Sequence, residues 1–395
     1  MTGTILIAGG GIGGLAAAMA CSRAGWAVQL LEQAPVFSEV GAGIQLGPNA
    51  MHILHGWGLE SELLHYLAYP SHLQARSAKS GRELGVLPLG ERTRSRYGAP
   101  HATVHRADIH HVLLEAARKQ SAVQLHVGTA LESFEARPDG VQVRTREGGA
   151  LHGDALVGAD GLWSRVRQHL LHDAPPRATG HLAYRAMVEQ QHLPLALRSQ
   201  HVTVWMGASQ HVVVYPVRRG QWLNVVAIIE GWVPGALQEW DHSANAQDLR
   251  AALAQTCQPL QDLVAAIDMW RVWPLCDRPP MRGAHEQARG HVALLGDAAH
   301  PMRPYMAQGA GMALEDAACL EQVLGGLDAP MAQRLQTYAV QRWKRNAQVQ
   351  ARSIRNGKIF HARGPLRWGR DLAMQMLGER LMDVPWLYNG PPRVT

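Results

Sequence analysis

Thr4-Ile5-Leu6-Ile7-Ala8-Gly9-Gly10-Gly11-Ile12-Gly13-Gly14 decides the fold of this chain. The apolar run predicts a short core strand, and it ends abruptly in glycines. Gly9, Gly11 and Gly14 stand in G-x-G-x-x-G spacing. In that pattern the first glycine makes the tight turn, the second lets the backbone approach a pyrophosphate, and the third lets the following helix pack on the strand. Ile12 to Arg23 predicts that helix, with Gly25 as its stop. Ala27 to Leu31 predicts a second strand ending in Glu32, placed to accept hydrogen bonds from a ribose. Strand, helix, strand and acid together fill a β-α-β unit of roughly 30 residues. The free N–H groups and positive dipole of the helix N-terminus suit an anion.

A second glycine motif lies far downstream. Val292-Ala293-Leu294-Leu295 runs into Gly296-Asp297-Ala298-Ala299-His300-Pro301. It predicts that the chain returns to the same sheet and closes over the same dinucleotide. Asp297 opens a turn after an apolar strand, where a carboxylate accepts a bond from a sugar-like hydroxyl. Gln308-Gly309-Ala310-Gly311-Met312 then leads into a predicted helix from Ala313 to Leu324.

The remainder bounds the possibilities. At 395 residues the chain buries a large core, in two closely packed domains. No apolar run is long enough for a membrane span, and the N-terminus lacks the basic segment of a signal peptide. The four cysteines have no CxxC spacing and the histidines no metal-ligand spacing, so no metal is expected and a reduced, cytoplasmic protein is. A net charge of +6 favours anionic small molecules without requiring nucleic acid. Ten Lys or Arg and no acid fall between Arg334 and Arg370, which reads as a solvated helix face. The sharper alternative is an oligomer contact, such as a homodimer, or an anionic-lipid surface.

Asn49 to Leu64 and Ile109 to Lys119 look helical, the latter capped by Asp108. Gln124–Val127, Leu131–Ala136 and Val141–Thr145 look like strands. From Gly180 to Glu230 the pattern becomes β-rich, with turns, and predicts an antiparallel sheet. Arg106, just before a helix, is placed to pair with a pyrophosphate.

Four segments carry a family resemblance: Gly9–Gly14 with Glu32; Gly158-Ala159-Asp160-Gly161 with Ser164 and Arg167; Gly296–Pro301; and Met306-Ala307-Gln308-Gly309-Ala310-Gly311. With them the chain resembles the group A FAD-dependent aromatic hydroxylases. Gly41-Ala42-Gly43-Ile44-Gln45-Leu46-Gly47-Pro48-Asn49, Thr179 to Arg185, and Trp386-Leu387-Tyr388 are similar to 3-hydroxybenzoate 6-hydroxylases and to the nearby salicylate and 6-hydroxynicotinate hydroxylases. The resemblance implies an α/β fold: a Rossmann-like FAD-binding domain (1–75, 100–175 and 285–325), interleaved with a substrate domain on an antiparallel sheet (76–99 and 176–284), and a C-terminal helical segment (326–395). It implies tight, noncovalent FAD, NAD(P)H as transient co-substrate, O2, and a small phenolic acid hydroxylated through a C4a-hydroperoxyflavin. Cofactor contacts are implied at Gly9, Gly11, Ile12, Gly13, Gly14, Glu32, Gln33, Gly43, Ile44, Arg106, Leu131, Asp160, Asp297, Gln308, Gly309 and Ala310. Substrate contacts are implied at Gln45, Pro301 and Tyr305.

His211 and Tyr215 lie four apart in the strand-like His211-Val212-Val213-Val214-Tyr215, hence on one face. In similar hydroxylases this pair meets the substrate phenol, and a hydrogen-bonded Tyr–His pair is suited to general-base work. Met302-Arg303-Pro304-Tyr305 departs from the relatives, which tend to carry glutamine in place of Pro304 or histidine in place of Tyr305. Arg303 either binds a carboxylate or faces solvent, and His300 reads as a structural histidine of the flavin loop. 3-Hydroxybenzoate 6-hydroxylation is the leading reading. Decarboxylating salicylate 1-hydroxylation and 6-hydroxynicotinate 3-hydroxylation are its siblings. A flavin reductase or oxidase, or a noncatalytic FAD-binding module, is the alternative class.

Overall fold

The glycine turn closes the first of two sheets that meet around a deep cavity. A computed structural model describes residues 3–37, 42–231, 237, 242–326 and 328–390, so Gly41 of the quoted motifs lies outside it. Thr4–Ala8 is an inner strand of a six-stranded sheet, parallel to Ala27–Leu31 on one side and Ala155–Gly158 on the other. Val123–His126 and Val292–Leu294 continue the parallel order, and Ala288–Arg289 adds an antiparallel edge. Ile5 and Ile7 point to one face, into a core with Leu15, Ala16 and Leu30. Leu6 and Ala8 point to the other, against Leu156, Val143 and Val166. Both faces are covered, so the strand is apolar without alternation.

The larger sheet has eight strands, and its register sets the substrate side. Gln210–Val217 lies antiparallel between Val202–Gly207 and Trp222–Glu230. His211, Val213 and Tyr215, with Val226 and Ile228 across the ladder, share the face turned to the cavity. Val212, Val214, Val225 and Ala227 face away, into a core with Leu260, Leu263 and Trp270. His72–Ser77 belongs wholly to this sheet, so a domain boundary at 75/76 cuts through a strand.

Several local expectations need correction. The Asn49–Leu64 segment is two helices, Pro48–Gly56 and Glu60–Leu63, separated where Gly58 takes φ +76°. Asp108 does not cap Arg106–Arg118: His105 is the N-cap, and Asp108 lies in the first turn, ion-paired with Arg218 at 3.1 Å. The downstream helix begins earlier than expected and runs Gly309–Gly326. The basic segment is not one solvated face. It forms the helix Met331–Phe360 and the start of Gly364–Met382, and Arg342, Arg345 and Arg370 are buried. Arg342 bridges Glu315 (2.9 Å) and Asp316 (2.7 Å), and Arg345 holds Glu315 at 2.7 Å. Burial would raise both carboxyls, but the two guanidiniums pull Glu315 down, and His300 with Arg342 pulls Asp316 further. No described helix is long and apolar enough to cross a membrane.

Candidate active site

At the first turn Gly9 has φ +102°, and a Cβ on Gly14 would stand 1.8 Å from the Gly9 carbonyl oxygen. A Cβ on Gly11 would meet nothing within 4 Å, because Gly11 borders the open cavity. No side chain caps Ile12–Arg23, so its first N–H groups are left for a ligand. Glu32 accepts from the N–H groups of Gly10 (2.7 Å) and Ala34 (2.8 Å). Its carboxylate therefore shapes the turn while lining the cavity's outer end together with Gln33 and Asp160.

The second and third motifs are fastened to each other. Asp160 accepts from the Ser164 hydroxyl (2.5 Å) and from the N–H groups of Arg165 (2.8 Å) and Val166 (3.1 Å). Buried Arg167 pairs with Asp173 at 2.7 Å and donates to the carbonyls of Ala298 (3.1 Å) and Ala299 (2.7 Å). His300 Nε2 lies 2.6 Å from the Asp316 carboxylate, which also accepts from Gly296 N–H at 3.1 Å. His300 is thus committed to the loop, as expected of a structural histidine. Asp297 projects into the cavity and has no hydrogen-bond partner among the described residues. Enclosure raises its carboxyl, opposed by the charges of Arg106 and His300.

The residues present fit FAD. The missing Gly11 side chain leaves room for a pyrophosphate beside a helix N-terminus. Arg106 lines both the inner and the outer cavity, and Asp297 offers an unengaged carboxylate to a polyol. Ile12, Gly13, Gly43, Ile44, Gln308, Gly309 and Ala310 line the inner part. Leu131 lines neither part; it packs with Val141 and Val143 in the core beneath.

The opposite wall is where the expectations change most. His211 and Tyr215 share the cavity face but are not bonded to each other. Tyr215 donates its hydroxyl to the Gly43 carbonyl at 2.6 Å, while Gly43 N–H donates to Asn224 Oδ1 at 2.7 Å. His211 Nδ1 lies 2.7 Å from His361 Nε2, which leaves Nε2 for the cavity. Burial keeps His211 well below the usual histidine range, helped by His361 and His181, and burial pushes the Tyr215 phenol up. Gln45 lines the cavity with buried His101 3.3 Å from its amide oxygen.

Pro301 does not line the cavity; Met302, Arg303 and Pro304 do. The Pro301 carbonyl accepts from Gln350 at 3.0 Å. Tyr305 lies behind that wall, its ring 5.1 Å from His211 and its buried hydroxyl without a hydrogen-bond partner among the described residues. Arg303 is bound to Asp277 at 2.6 Å while lining the cavity, so it is not simply solvent-facing. Two site residues were missed. Arg185 lines both parts of the cavity and lies 5.3 Å from the Trp273 ring, and His361 reaches the site from the end of the long helix. Arg185 closes the Thr179–Arg185 motif, which is its signal, whereas His361 has no local sequence signal.

The FAD binding domain family matches residues 2–353. A 3-hydroxybenzoate 6-hydroxylase from Polaromonas naphthalenivorans is 38% identical over 97% of this chain and 95% of its own length. A 6-hydroxynicotinate 3-monooxygenase from Bordetella bronchiseptica is also 38% identical, over 81% of this chain and 82% of its own. Among solved structures, Klebsiella pneumoniae HpxO complexed with FAD and uric acid superposes with TM-score 0.86 at 26% identity, covering 98% and 97% of the two chains.

Proposed function

This chain belongs to the FAD-dependent aromatic-ring monooxygenases, and from that membership we propose that it hydroxylates a small phenolic acid, with 3-hydroxybenzoate 6-hydroxylation as the preferred reading. The observation that carries the reading is the placing of neutral His211 across one cavity from the FAD-fitting turns, with a ring nitrogen left for a ligand. Bound FAD supplies the redox chemistry that joins NAD(P)H to O2.

The chain's own groups manage the substrate. His211 Nε2 accepts the phenolic proton, which raises electron density ortho and para to that oxygen. Tyr215 keeps its proton on the Gly43 carbonyl, so its oxygen is an acceptor that orients the substrate hydroxyl. Half-buried Arg185 makes that region positive, which suits an anionic acid. The apolar ladder residues Val213, Val226 and Ile228 exclude water from the ring.

The chain is equally identical to a hydroxybenzoate and a hydroxynicotinate enzyme, and its departures at Pro304 and Tyr305 support that wall as the place of selection between the two readings. The test is an NADH- and NADPH-oxidation screen over 3-hydroxybenzoate, salicylate and 6-hydroxynicotinate with product identification. The expected outcome is 2,5-dihydroxybenzoate in proportion to nicotinamide consumed. Nicotinamide oxidation with peroxide and no oxygenated product from any of them would favour a flavin reductase or oxidase instead.

A further inference from the structure

Three histidines from distant segments meet behind the substrate wall. His211 comes from the strand Gln210–Val217, His181 from Arg177–Glu189, and His361 from the C-cap of Met331–Phe360. The His361 ring centroid lies 5.0 Å from each of the other two. Its Nε2 meets His211 Nδ1 at 2.7 Å, while its Nδ1 is buried without a hydrogen-bond partner among the described residues. One ring nitrogen of His361, one of His181 and a carboxylate oxygen of exposed Glu230 fall within 4.8 Å of one another. These groups span the distance from the cavity to the surface, with hydrogen-bond contact at the His211–His361 step and proximity at the rim.

Resting on the general-base reading of His211, we propose that His361 is a positioning residue for proton transfer, connecting His211 to the surface carboxylate of Glu230. The substrate O–H bond breaks and an N–H bond forms at His211 Nε2. The His211 Nδ1 proton passes to His361 Nε2, and the His361 Nδ1 proton leaves through the His181–Glu230 rim. Return of a proton to the product oxygen along the same path restores both tautomers. No electrons move.

The surroundings favour transfer over storage. Burial, then His181, Arg363 and Arg370, holds His361 down at about 4, so a proton arriving there is not retained at neutral pH. Arg370 donates to the carbonyls of Ile359 (3.1 Å) and Phe360 (2.8 Å), and Arg363 sits 2.5 Å from Glu230. Arg303 acts on His181 in the same sense, and the Tyr305 ring lies 6.0 Å from His361. The same trio has the atom types of a metal site. The three guanidiniums, one of them engaging Glu230, make it unfavourable for a cation.

The test is anaerobic stopped-flow mixing of oxidised holoenzyme with 3-hydroxybenzoate, or with salicylate or 6-hydroxynicotinate if one of these turns over faster. Phenolate absorbance is read beside a pH-indicator dye. In wild type, phenolate formation should coincide with proton release. His361→Gln retains a hydrogen-bonding side chain but no transferable site. It should retain FAD and its rate of flavin reduction, release the proton at least about tenfold more slowly, and recover with added imidazole. Wild-type release by His361→Gln would overturn the relay and leave His361 a prop for the His211 ring. Absence of phenolate in wild type, or its undiminished formation in His211→Ala, would overturn the general-base reading and the relay with it. Should His361→Gln lose its flavin, Glu230→Gln at the rim carries the test: slower release is expected, and an unchanged rate would overturn the proposal.

Discussion

The two walls of the cavity are built on different principles. The cofactor wall is made of backbone: glycines, helix ends, and carboxylates bonded to N–H groups nearby in the chain, as Asp160 is to Arg165 and Val166, and Glu32 to Ala34 and, 22 positions back within the same β-α-β unit, to Gly10. The substrate wall is made of side chains joined across the chain, with His211 and His361 separated by 150 positions and Tyr215 and Gly43 by 172. A wall of backbone tolerates few residue types and so leaves a pattern. A wall of side chains is set by tertiary packing and leaves almost none.

The largest effects should come from breaking the backbone wall, and two glycines separate its two requirements. Gly14→Val places a side chain against the Gly9 carbonyl and should abolish both FAD binding and a folded apoprotein. Gly11→Val projects into the cavity and should abolish flavin while the apoprotein melts as wild type does; flavin absorbance and calorimetry check both. Next, Arg342→Met takes one cation from buried Glu315 and Asp316, leaving them Arg345 and His300, and should cost about 3 kcal/mol in urea unfolding. On the other wall, His211→Ala should retain FAD and nicotinamide oxidation. Product should form at least about tenfold more slowly, with the balance released as hydrogen peroxide.

Acid should act through the side-chain wall. Burial lowers His101 from the ordinary 6.5 to about 4, and burial with its cationic neighbours does the same to His361. The unfolded chain therefore binds these protons first as pH falls. The stability is fully present above 6.5 and is lost toward 4, by about 1.4 kcal/mol per pH unit for each histidine. His101→Gln should flatten that slope in pH-dependent urea melts. The smallest effect is Tyr215→Phe, which removes one buried bond to Gly43 and should cost about 1 kcal/mol in the same assay.

This contrast explains what was legible in the sequence. Gly9, Gly11, Gly14, Glu32 and Asp297 stand where the spacing placed them, because a turn and a helix end depend on neighbours in the chain. The alternation around His211 gave the face of the strand, but not the partners of its side chains. A direct Tyr215–His211 bond was expected, yet the two hydroxyl and imidazole partners come from other segments. The basic run from Arg334 to Arg370 looked solvated because Glu315 and Asp316, which bury two of its arginines, lie on another helix. Arg185 lay inside the Thr179–Arg185 motif without a role assigned to it, and His361 had no pattern to announce it, since it acts from a lone position.

The guanidinium of Arg345 has a consequence for how this enzyme tolerates handling of its tail. It donates to the carbonyls of Trp386 (2.9 Å) and Leu387 (2.8 Å) while gripping Glu315, six residues into the helix that opens at Gly309 beside the cavity. The Pro385–Tyr388 turn is thereby a latch on the helix that opens beside the cavity. A protease cut ahead of Trp386 would release that latch, and the damage would register as a bleached, cofactor-poor preparation rather than as a frayed end.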